Sequence, residues 1–546
     1  MKEFVTYSDF GAVGDGVAND FEAMLNAHAY ANENKLPVKG ESGKSYRIVS
    51  TEKDGLARTI IIKTPTDWQG TTIIVDDTDI AHADGKGRDF NSPIFRVEPY
   101  EEIVEISEET IASLPKITTK TTKIDLGLGY PALAVLYNDE VRHYIRYGPN
   151  ANQGSPQHEL VVLDKDGNVD PTTPLMYDYA KITKIEAIKI DIDDLVLENA
   201  TFLQRASHID TVKILPDGTV KNKNKSYFHR NMEISRSNTF IRNCTHLITG
   251  EVTVDEQAAG MYGPAYKGFF CPSFANNVTI EDCTLTARRY YTPGTYGFSA
   301  GLTNNIVLKN CKQTNFYKKD ENGNDTNVLS METNPKTGKL EYWGLGGTSF
   351  CKNMVYDGCE ITRYDAHQGL CNGKIINCHI AMINLIGAGE MLIENSYIEL
   401  KESSIVNLRM DYGSTWNGNI TIRNCTVDHN EAVKKKEQVW LFNFNWVNHF
   451  FGYTCHFPNL EVDNLKLVKS HLAPIHIFPT HNGHSPAVEK NLHLPSLMDG
   501  SENLNPIVPP AYLRVVNNEQ GVTYDVADVP FVDGTEIVGI EKASVE

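Results

Sequence analysis

Polar and apolar positions alternate with a period of two in short runs that return along most of the chain. The runs share one pattern, two or more apolar or β-branched positions followed by Asn or Asp and then Cys, as at 240–244, 279–283, 307–311, 375–378 and 421–425. This alternation predicts short strands with one buried face. Neighbouring copies lie 18 to 48 residues apart, which predicts stacked coils, some of them interrupted by loops.

The end of each run predicts how the coils stack. Equivalent residues of adjacent parallel strands lie about 4.8 Å apart, so the Asn side chains can form a ladder while the following Cys packs inward. Six cysteines occupy this position: Cys244, Cys283, Cys311, Cys359, Cys378 and Cys425. We therefore predict packed thiols rather than disulfides or metal ligands. No close Cys pair and no calcium-loop motif is present, so no metal and no cofactor is predicted.

The first residues predict a capped end for this stack. Glycines at 11, 14 and 16 form a tight turn, and Asn19 or Asp20 can begin a helix with Phe21 and Met24 on its apolar face. The glycine spacing does not fit a nucleotide-binding loop. The stretch DFGAVGDGVANDFEAMLNAHAYA resembles the N-terminal cap of pectate-lyase-like β-helix proteins. The resemblance implies an all-β, right-handed parallel β-helix with a capping helix, in a superfamily that is largely carbohydrate-active.

The strand pattern divides the chain into four predicted parts. Residues 1–95 form the cap and first coils, and residues 96–185 break the pattern and form a β-rich insertion. Residues 186–470 form the β-helix core, and residues 471–546 form a C-terminal cap or arm. The insertion either borders the site or mediates oligomerisation. Trimers are an expectation from analogy with other β-helix proteins only.

Composition narrows the classes of partner. The formal net charge is −19, which disfavours nucleic acid and anionic membranes, because both favour basic surfaces. No apolar run is long enough to span a membrane, and the N-terminus has no apolar secretory signal. The chain is expected to be cytoplasmic, or secreted with its signal removed.

Candidate chemistry is densest at 363–369, Arg-Tyr-Asp-Ala-His-Gln-Gly. On a strand, Arg363, Asp365 and His367 alternate onto one side, where the carboxylate can orient the imidazole. Asp-x-His also resembles the Asp-Pro-His-Glu element of alginate C5-epimerases, although Ala366 replaces Pro and Gln368 replaces Glu. That resemblance implies epimerase or lyase roles for Asp365 and His367, with a tyrosine such as Tyr296 as the second proton-transfer group. A ladder of paired surface charges is the alternative interpretation.

Other coils place polar and aromatic residues in the same register. The predicted carboxylates besides Asp365 are Asp411 and, as a substitute, Glu390; Asp365 and Asp411 would lie two coils apart, about 9–10 Å, near the separation of an inverting glycosidase. The predicted substrate-binding residues are Arg363, Arg409, Tyr296, Lys267, Trp343 and Arg288. Alternating aromatics at Trp440, Phe442, Phe444 and Trp446 are predicted to belong to the core rather than to a sugar platform.

Three functions fit these patterns. The first is a glycoside hydrolase that cleaves a carbohydrate in a groove along the β-helix with Asp365 and Asp411. The second is a uronate-directed lyase or C5-epimerase that uses His367, Tyr296, Arg363 and Lys267. The third is a glycan-binding or phage-fibre solenoid without catalysis. A standard pectin hydrolase is disfavoured because its paired-aspartate and Gly-His-Gly elements are not visible.

Overall fold

The computed structural model describes most of the chain. The described residues are 2–80, 91–146, 152–208, 212–214, 220–222, 227–253, 256, 264–286, 296–314, 316–329, 348–400, 404–429, 439–443, 454–468, 474–478, 507–527, 532 and 534–543. Strands of successive coils pair side by side and form three long parallel sheets, and most coils contribute one strand to two or three of them. The predicted all-β, parallel β-helix fold is confirmed.

Sheet 1 carries the candidate site. Its strands are Ile60–Ile62, Phe95–Val97, Met232–Ile234, Thr348–Ser349, Arg363–Gln368, Met382–Asn384, Ser404–Asn407, Trp440–Asn443, Ile475–His476, Tyr524–Ala527 and Glu541–Ala543. The first residues of two longer strands, Phe270–Glu281 and Ala300–Lys309, also pair in this sheet.

Sheet 2 contains the longest strands and ends at the Asn turns. Its strands are Val5–Thr6, Val38–Lys39, Thr66–Asp76, Leu195–Arg205, Thr239–Arg242, Phe270–Glu281, Ala300–Lys309, Lys352–Asp357, Leu370–Ile376, Gly387–Glu394, Trp416–Arg423, Asn459–Asp463, Tyr512–Val516 and Glu536–Val538.

Sheet 3 follows the Asn turns. Its strands are Asp15–Asn19, Ser45–Ile48, Thr245–Thr249, Thr284–Leu285, Lys312–Gln313, His379–Ile380, Tyr397–Glu399, Thr426–Asp428 and Lys466–Val468, and the ends of Thr66–Asp76 and Leu195–Arg205 pair with them. Small two-stranded pairs lie outside these sheets, at Glu52–Lys53 with Leu56–Ala57, Val212–Ile214 with Val220–Asn222, Tyr317–Lys319 with Asp325–Leu329, and Cys455–His456 with Ile507–Val508.

The core is one continuous stack of apolar side chains between the three sheets. One column of sheet 2 runs in register through Leu197, Ile241, Ile280, Leu308, Tyr356, Ile375, Ile393, Ile422 and Val462, all with 0% exposure. The six predicted cysteines lie buried at the next turn, and they are free thiols, as are the buried Cys271, Cys351 and Cys371. The Asn ladder also forms: Asn243 Nδ2 donates to Asn199 Oδ1 at 2.8 Å, and Asn310 Nδ2 donates to Asp282 Oδ1 at 3.1 Å.

The N-terminal helix caps the first coil, as predicted. It spans Phe21–Asn34 and buries Phe21, Met24 and His28. The Asp20 carboxylate accepts bonds from the amides of Val13 and Gly14 at 2.7 and 3.3 Å, so it fixes the preceding glycine turn instead of capping the helix with its side chain.

Parallel pairing continues beyond residue 470, further than the sequence pattern indicates. Tyr512–Val516 and Tyr524–Ala527 add strands to sheets 2 and 1. These last coils lack the Asn-Cys signature, which explains why the pattern does not reveal them. In the aromatic run, Phe442 belongs to the core and Trp440 is half-buried, while Phe444 and Trp446 lie outside the described residues.

The insertion forms an antiparallel sheet with a core of its own. Its strands are Val104–Glu105, Ala132–His143, Ser155–Leu163 and Lys184–Lys189, and a short helix spans Glu108–Ser113. A buried ion pair, Lys352 Nζ to Glu159 Oε2 at 2.8 Å, joins it to the β-helix. Phe350 of the β-helix contacts the rings of Tyr144 and His158. The insertion is therefore held against the coils that carry residues 350–370.

Candidate functional site

The strand Arg363–Gln368 presents its polar side chains outward, as the alternation predicts. Tyr364 and Ala366 point into the core with 0% exposure. Arg363, Asp365 and His367 therefore lie on the outer surface of sheet 1. The register of the sheet continues the Asp365 position through Asn384, Asn407 and Asn443 on the following coils.

Arg409 and Asp411 approach this surface from a later coil. They follow the strand Ser404–Asn407, where the chain leaves sheet 1 for a short 3-10 helix, Met410–Tyr412. Arg409 has a φ of 44°, a left-handed conformation that costs free energy for a residue with a Cβ. A strained backbone conformation persists only where surrounding contacts stabilise it. At Arg409 the hydrogen bonds of the guanidinium group provide this stabilisation.

Arg409 is the hub of a charged cluster. Its Nη1 donates to Asp365 Oδ1 at 3.1 Å, and its Nε and Nη2 hold Asp411 in a bidentate pair at 3.0 and 2.9 Å. Arg363 Nη2 donates to the other Asp365 oxygen at 2.6 Å. The structure thus brings the predicted residues Arg363, Asp365, Arg409 and Asp411 together with His367.

The two carboxylates of this cluster remain ionised. Burial alone raises the pKa of Asp365, but Arg363 and Arg409 outweigh it and hold that pKa well below its ordinary value. Burial also raises the pKa of Asp411, but Arg409 outweighs burial, so the pKa of Asp411 is lowered. Asp365 has 0% exposure because the guanidinium groups of Arg363 and Arg409 cover it. The Asp411 side chain is 29% exposed.

His367 connects the charged cluster to Tyr412. Arg409 Nη1 lies 2.9 Å from His367 Nδ1, and Tyr412 Oη lies 3.0 Å from His367 Nε2. His367 Nδ1 also lies 3.4 Å from Asp365 Oδ2, but its shorter contact is with Arg409, whose N–H can only donate. We therefore assign the neutral tautomer with its proton on Nε2, facing the tyrosine. Burial, and then the charge of Arg409, lower the pKa of His367, so the ring is neutral at pH 7.

Tyr412 and Arg146 belong to the site but were not predicted from the sequence. Arg146 comes from the insertion; its Nε lies 2.7 Å from Asp411 Oδ2, and its guanidinium lies 5.2 Å from the Tyr412 ring centroid. Arg409 lies 5.0 Å from the same centroid. Burial raises the pKa of Tyr412 above its ordinary value. Adjacency to Asp411 was the only sequence signal for Tyr412, and nothing in the sequence places the insertion's Arg146 beside it.

The other predicted site residues have different positions. Tyr296 is close enough to Arg363 and Asp365 for their charges to affect its pKa, which burial raises. Lys267 lies beside His229 and Cys271, on earlier coils. Glu390 is exposed on sheet 2, where Asn419 Nδ2 donates to it at 2.7 Å, so the structure separates it from the cluster on sheet 1. Arg288 and Trp343 lie outside the described residues.

Among the described residues, no group of three or more His, Cys, Asp or Glu side chains is placed to hold a metal ion. Within the same part of the chain, no helix is long and apolar enough to cross a membrane.

Comparison with solved structures defines the class of fold. The tailspike protein gp49 of Pseudomonas phage LKA1 aligns with 98% of this chain and 84% of its own, at 12% identity and a TM-score of 0.52. The mannuronan C-5 epimerase AlgE6 A-module of Azotobacter vinelandii aligns with 99% of each chain, at 10% identity and a TM-score of 0.33. No protein-family profile and no curated protein sequence matches. The chain is a right-handed parallel β-helix protein, and at these identities the likeness extends to the fold alone.

Proposed function

We propose that this protein acts on an acidic glycan by moving a proton at a uronate residue, as a polysaccharide lyase or a C5-epimerase does. One observation carries the proposal: a partly open cluster combines three guanidinium groups with two ionised carboxylates and a neutral His–Tyr pair. The cluster therefore has an excess of positive charge beside groups that can exchange a proton.

The same charges weigh against the paired-carboxylate hydrolysis that the sequence analysis placed first. A glycosidase needs one carboxylic acid that stays protonated at working pH, which requires a raised pKa. The pKa values of Asp365 and Asp411 are both lowered, and Asp365 is inaccessible. In our proposal Asp365 and Arg363 are positioning residues, which hold Arg409 and through it His367.

Arg146 and Arg409 bind the uronate carboxylate in this proposal. Guanidinium groups recognise carboxylates through paired N–H bonds, and these two already hold the carboxylate of Asp411 between them. Since Asp411 is partly exposed, a substrate carboxylate can take its position on Arg146. The acidic α-carbon of the uronate is then brought towards His367 and Tyr412.

Tyr412 transfers the proton in this proposal. His367 Nε2–H donates to its oxygen, and the guanidinium groups of Arg146 and Arg409 lie against its ring, so all three stabilise a phenolate. The phenolate takes the proton from C5. In elimination the phenol gives that proton to the leaving oxygen; in epimerisation a solvent proton reaches C5 from the opposite face, and the phenol releases its own proton to solvent. Because burial raises the pKa of Tyr412, the rate is expected to increase from neutral to alkaline pH.

A screen in D₂O tests this function. The protein is incubated with alginate, pectate, hyaluronan and neutral glucans, and the products are read by near-ultraviolet absorbance and by NMR. A lyase makes unsaturated uronates that absorb in the near ultraviolet, and an epimerase replaces the C5 hydrogen with deuterium. New reducing ends without unsaturation would show hydrolysis instead, and binding without any chemical change would show a glycan-binding solenoid; either result overturns the proposal.

A further inference from the structure

A cavity lies between the insertion and the β-helix, next to the charged cluster. Its volume is about 160 Å³, and the insertion contributes His143, Tyr144 and Tyr177 to its wall. The β-helix contributes Thr415, Asn417 and His456. Pockets for drug-sized ligands measure about 300–1,000 Å³, so this cavity fits a smaller group such as one sugar ring.

The described wall of this cavity carries no formal charge. None of its described residues is Asp, Glu, Lys or Arg. Burial, and then His158, lower the pKa of His143 to about 4, and burial lowers the pKa of His456, so both rings are neutral at pH 7. The wall instead offers hydroxyl, amide and imidazole groups beside aromatic rings, which is the combination that binds sugar hydroxyls and the apolar faces of sugar rings.

The cavity and the charged cluster share one wall. Tyr144, which lines the cavity, packs with Ile386 and Tyr412 in a single buried apolar cluster. Tyr144 is also two residues from Arg146, and Thr415 is three residues from Tyr412. The hydroxyls of Tyr144 and Tyr177 lie 2.6 Å apart, which holds the wall together.

We infer that this cavity binds one uncharged sugar unit of the glycan, next to the uronate held at Arg146 and Arg409. The inference rests on the proposed function and narrows it: the substrate is a heteropolymer in which an acidic sugar and a neutral sugar lie close together. A uniformly acidic polymer would have to bury an unpaired carboxylate against an uncharged wall, at a large cost in free energy.

Two positions on the cavity wall allow a test in the full-length protein. Ala388 lines the cavity and is half-buried, so Ala388→Leu fills space while Ala388→Ser, the matched control, leaves it open. Asn417 is exposed on its strand, so Asn417→Ala removes a polar group with little risk to folding. Circular dichroism and thermal unfolding establish that each variant is folded before binding is compared.

Saturation-transfer NMR measures binding of the methyl glycosides of glucose, galactose, mannose and N-acetylglucosamine, with glucuronate and galacturonate as charged probes. We expect at least one uncharged glycoside to bind the wild type and Ala388→Ser, and to bind Ala388→Leu and Asn417→Ala about tenfold more weakly, a difference of about 1.4 kcal/mol. Absence of binding by all uncharged probes, or unchanged binding by Ala388→Leu, overturns the inference.

The outcome separates this inference from the proposed function. If acidic glycans are processed while the cavity binds no neutral sugar, the function stands and the cavity inference fails. If neutral sugars bind in the cavity while no uronate loses its C5 hydrogen, the proposed function fails and the cavity is a glycan-binding site only.

Discussion

Two buried ion-pair networks of this β-helix differ in how far their charged side chains are exposed to solvent. Near the N-terminus, Arg230 Nε donates to Asp77 Oδ1 at 2.7 Å, and both side chains have 0% exposure. Around Arg409, by contrast, the cluster opens to solvent through Arg146, His367 and Asp411, whose side chains are 19%, 20% and 29% exposed. Both charged side chains of the first network are therefore inaccessible to solvent, whereas three side chains of the second network are partly accessible.

The carboxylates of the two networks also respond differently to burial. Burial raises the pKa of Asp77, because the single guanidinium of Arg230 does not compensate for it. Asp365 is buried just as fully, yet its pKa is lowered because Arg363 and Arg409 both face it. We infer that the network at Arg230 serves the fold, and the proposed function uses the excess of positive charge at Arg409 to bind an acidic ligand.

Removing the central guanidinium of each network is expected to have the largest effect. Arg409→Ala leaves Asp365 and Asp411 short of a partner, and Arg230→Ala leaves Asp77 with the Gln204 amide but without its paired cation, so each should lower the free energy of unfolding by about 3–5 kcal/mol. Urea denaturation measures this loss. Below the melting temperature of both variants, only Arg409→Ala should abolish turnover; equal turnover by the two would contradict the contrast between the networks.

The carboxylate of each network gives a sharper version of the same comparison. Asp365→Asn should lower kcat about 100-fold with little change in KM, because a small displacement of Arg409 and His367 misplaces the proton-transfer pair. Asp77→Asn should leave kcat unchanged in the folded fraction. Steady-state kinetics at several pH values check both, and a shifted pH profile for Asp365→Asn alone distinguishes positioning from a general loss of stability. A wild-type kcat for Asp365→Asn contradicts the positioning role.

Arg146 should affect binding more than stability. Its ion pair with Asp411 is partly exposed, so Arg146→Gln should lower the free energy of unfolding by no more than about 1 kcal/mol. The same change should raise KM for an acidic glycan about tenfold, the equivalent of about 1.4 kcal/mol. Arg242→Gln is the matched control, since Arg242 makes a similar partly exposed pair with Glu281 on sheet 2. Equal KM values for the two variants would remove Arg146 from the binding site.

A gradual loss of stability is expected in mild acid. Burial lowers the pKa of His28 and His246 to about 3, and burial with Arg409 lowers that of His367. The unfolded chain therefore takes up these protons first, so stability should fall as the pH drops below about 6.5. Thermal unfolding between pH 8 and 4 measures the slope. His28→Gln should flatten it without changing activity, and an unaltered slope would contradict this account.

More of the fold than of the candidate site could be predicted from the sequence. The Asn-Cys turns and the capping helix are local patterns that repeat, and stacking of identical coils converts them directly into three sheets. Arg363, Asp365 and His367 follow from alternation on one strand. Arg146 and Tyr412 could not be found in this way, because one depends on how the insertion docks and the other on a left-handed residue, Arg409, that turns the chain back.

Glu390 is a predicted site residue that the structure places on a different sheet from the charged cluster. Glu390 was a candidate because it lies in the coil between those of Asp365 and Asp411. The coil bends between sheet 1 and sheet 2, so a shift of a few residues moves a side chain to a different face. Sequence spacing alone does not reveal where each coil bends.

Hydrogen exchange at C5 of a uronate tests the central claim most directly. Wild type, Tyr412→Phe and the control Tyr397→Phe, whose hydroxyl instead donates to Asp428 on sheet 3, are compared in D₂O with an acidic heteropolysaccharide that the screen identifies. We predict that wild type and Tyr397→Phe remove the C5 hydrogen, and that Tyr412→Phe does so at least about 100-fold more slowly while remaining folded. Removal of the C5 hydrogen at the wild-type rate by Tyr412→Phe would contradict the mechanism.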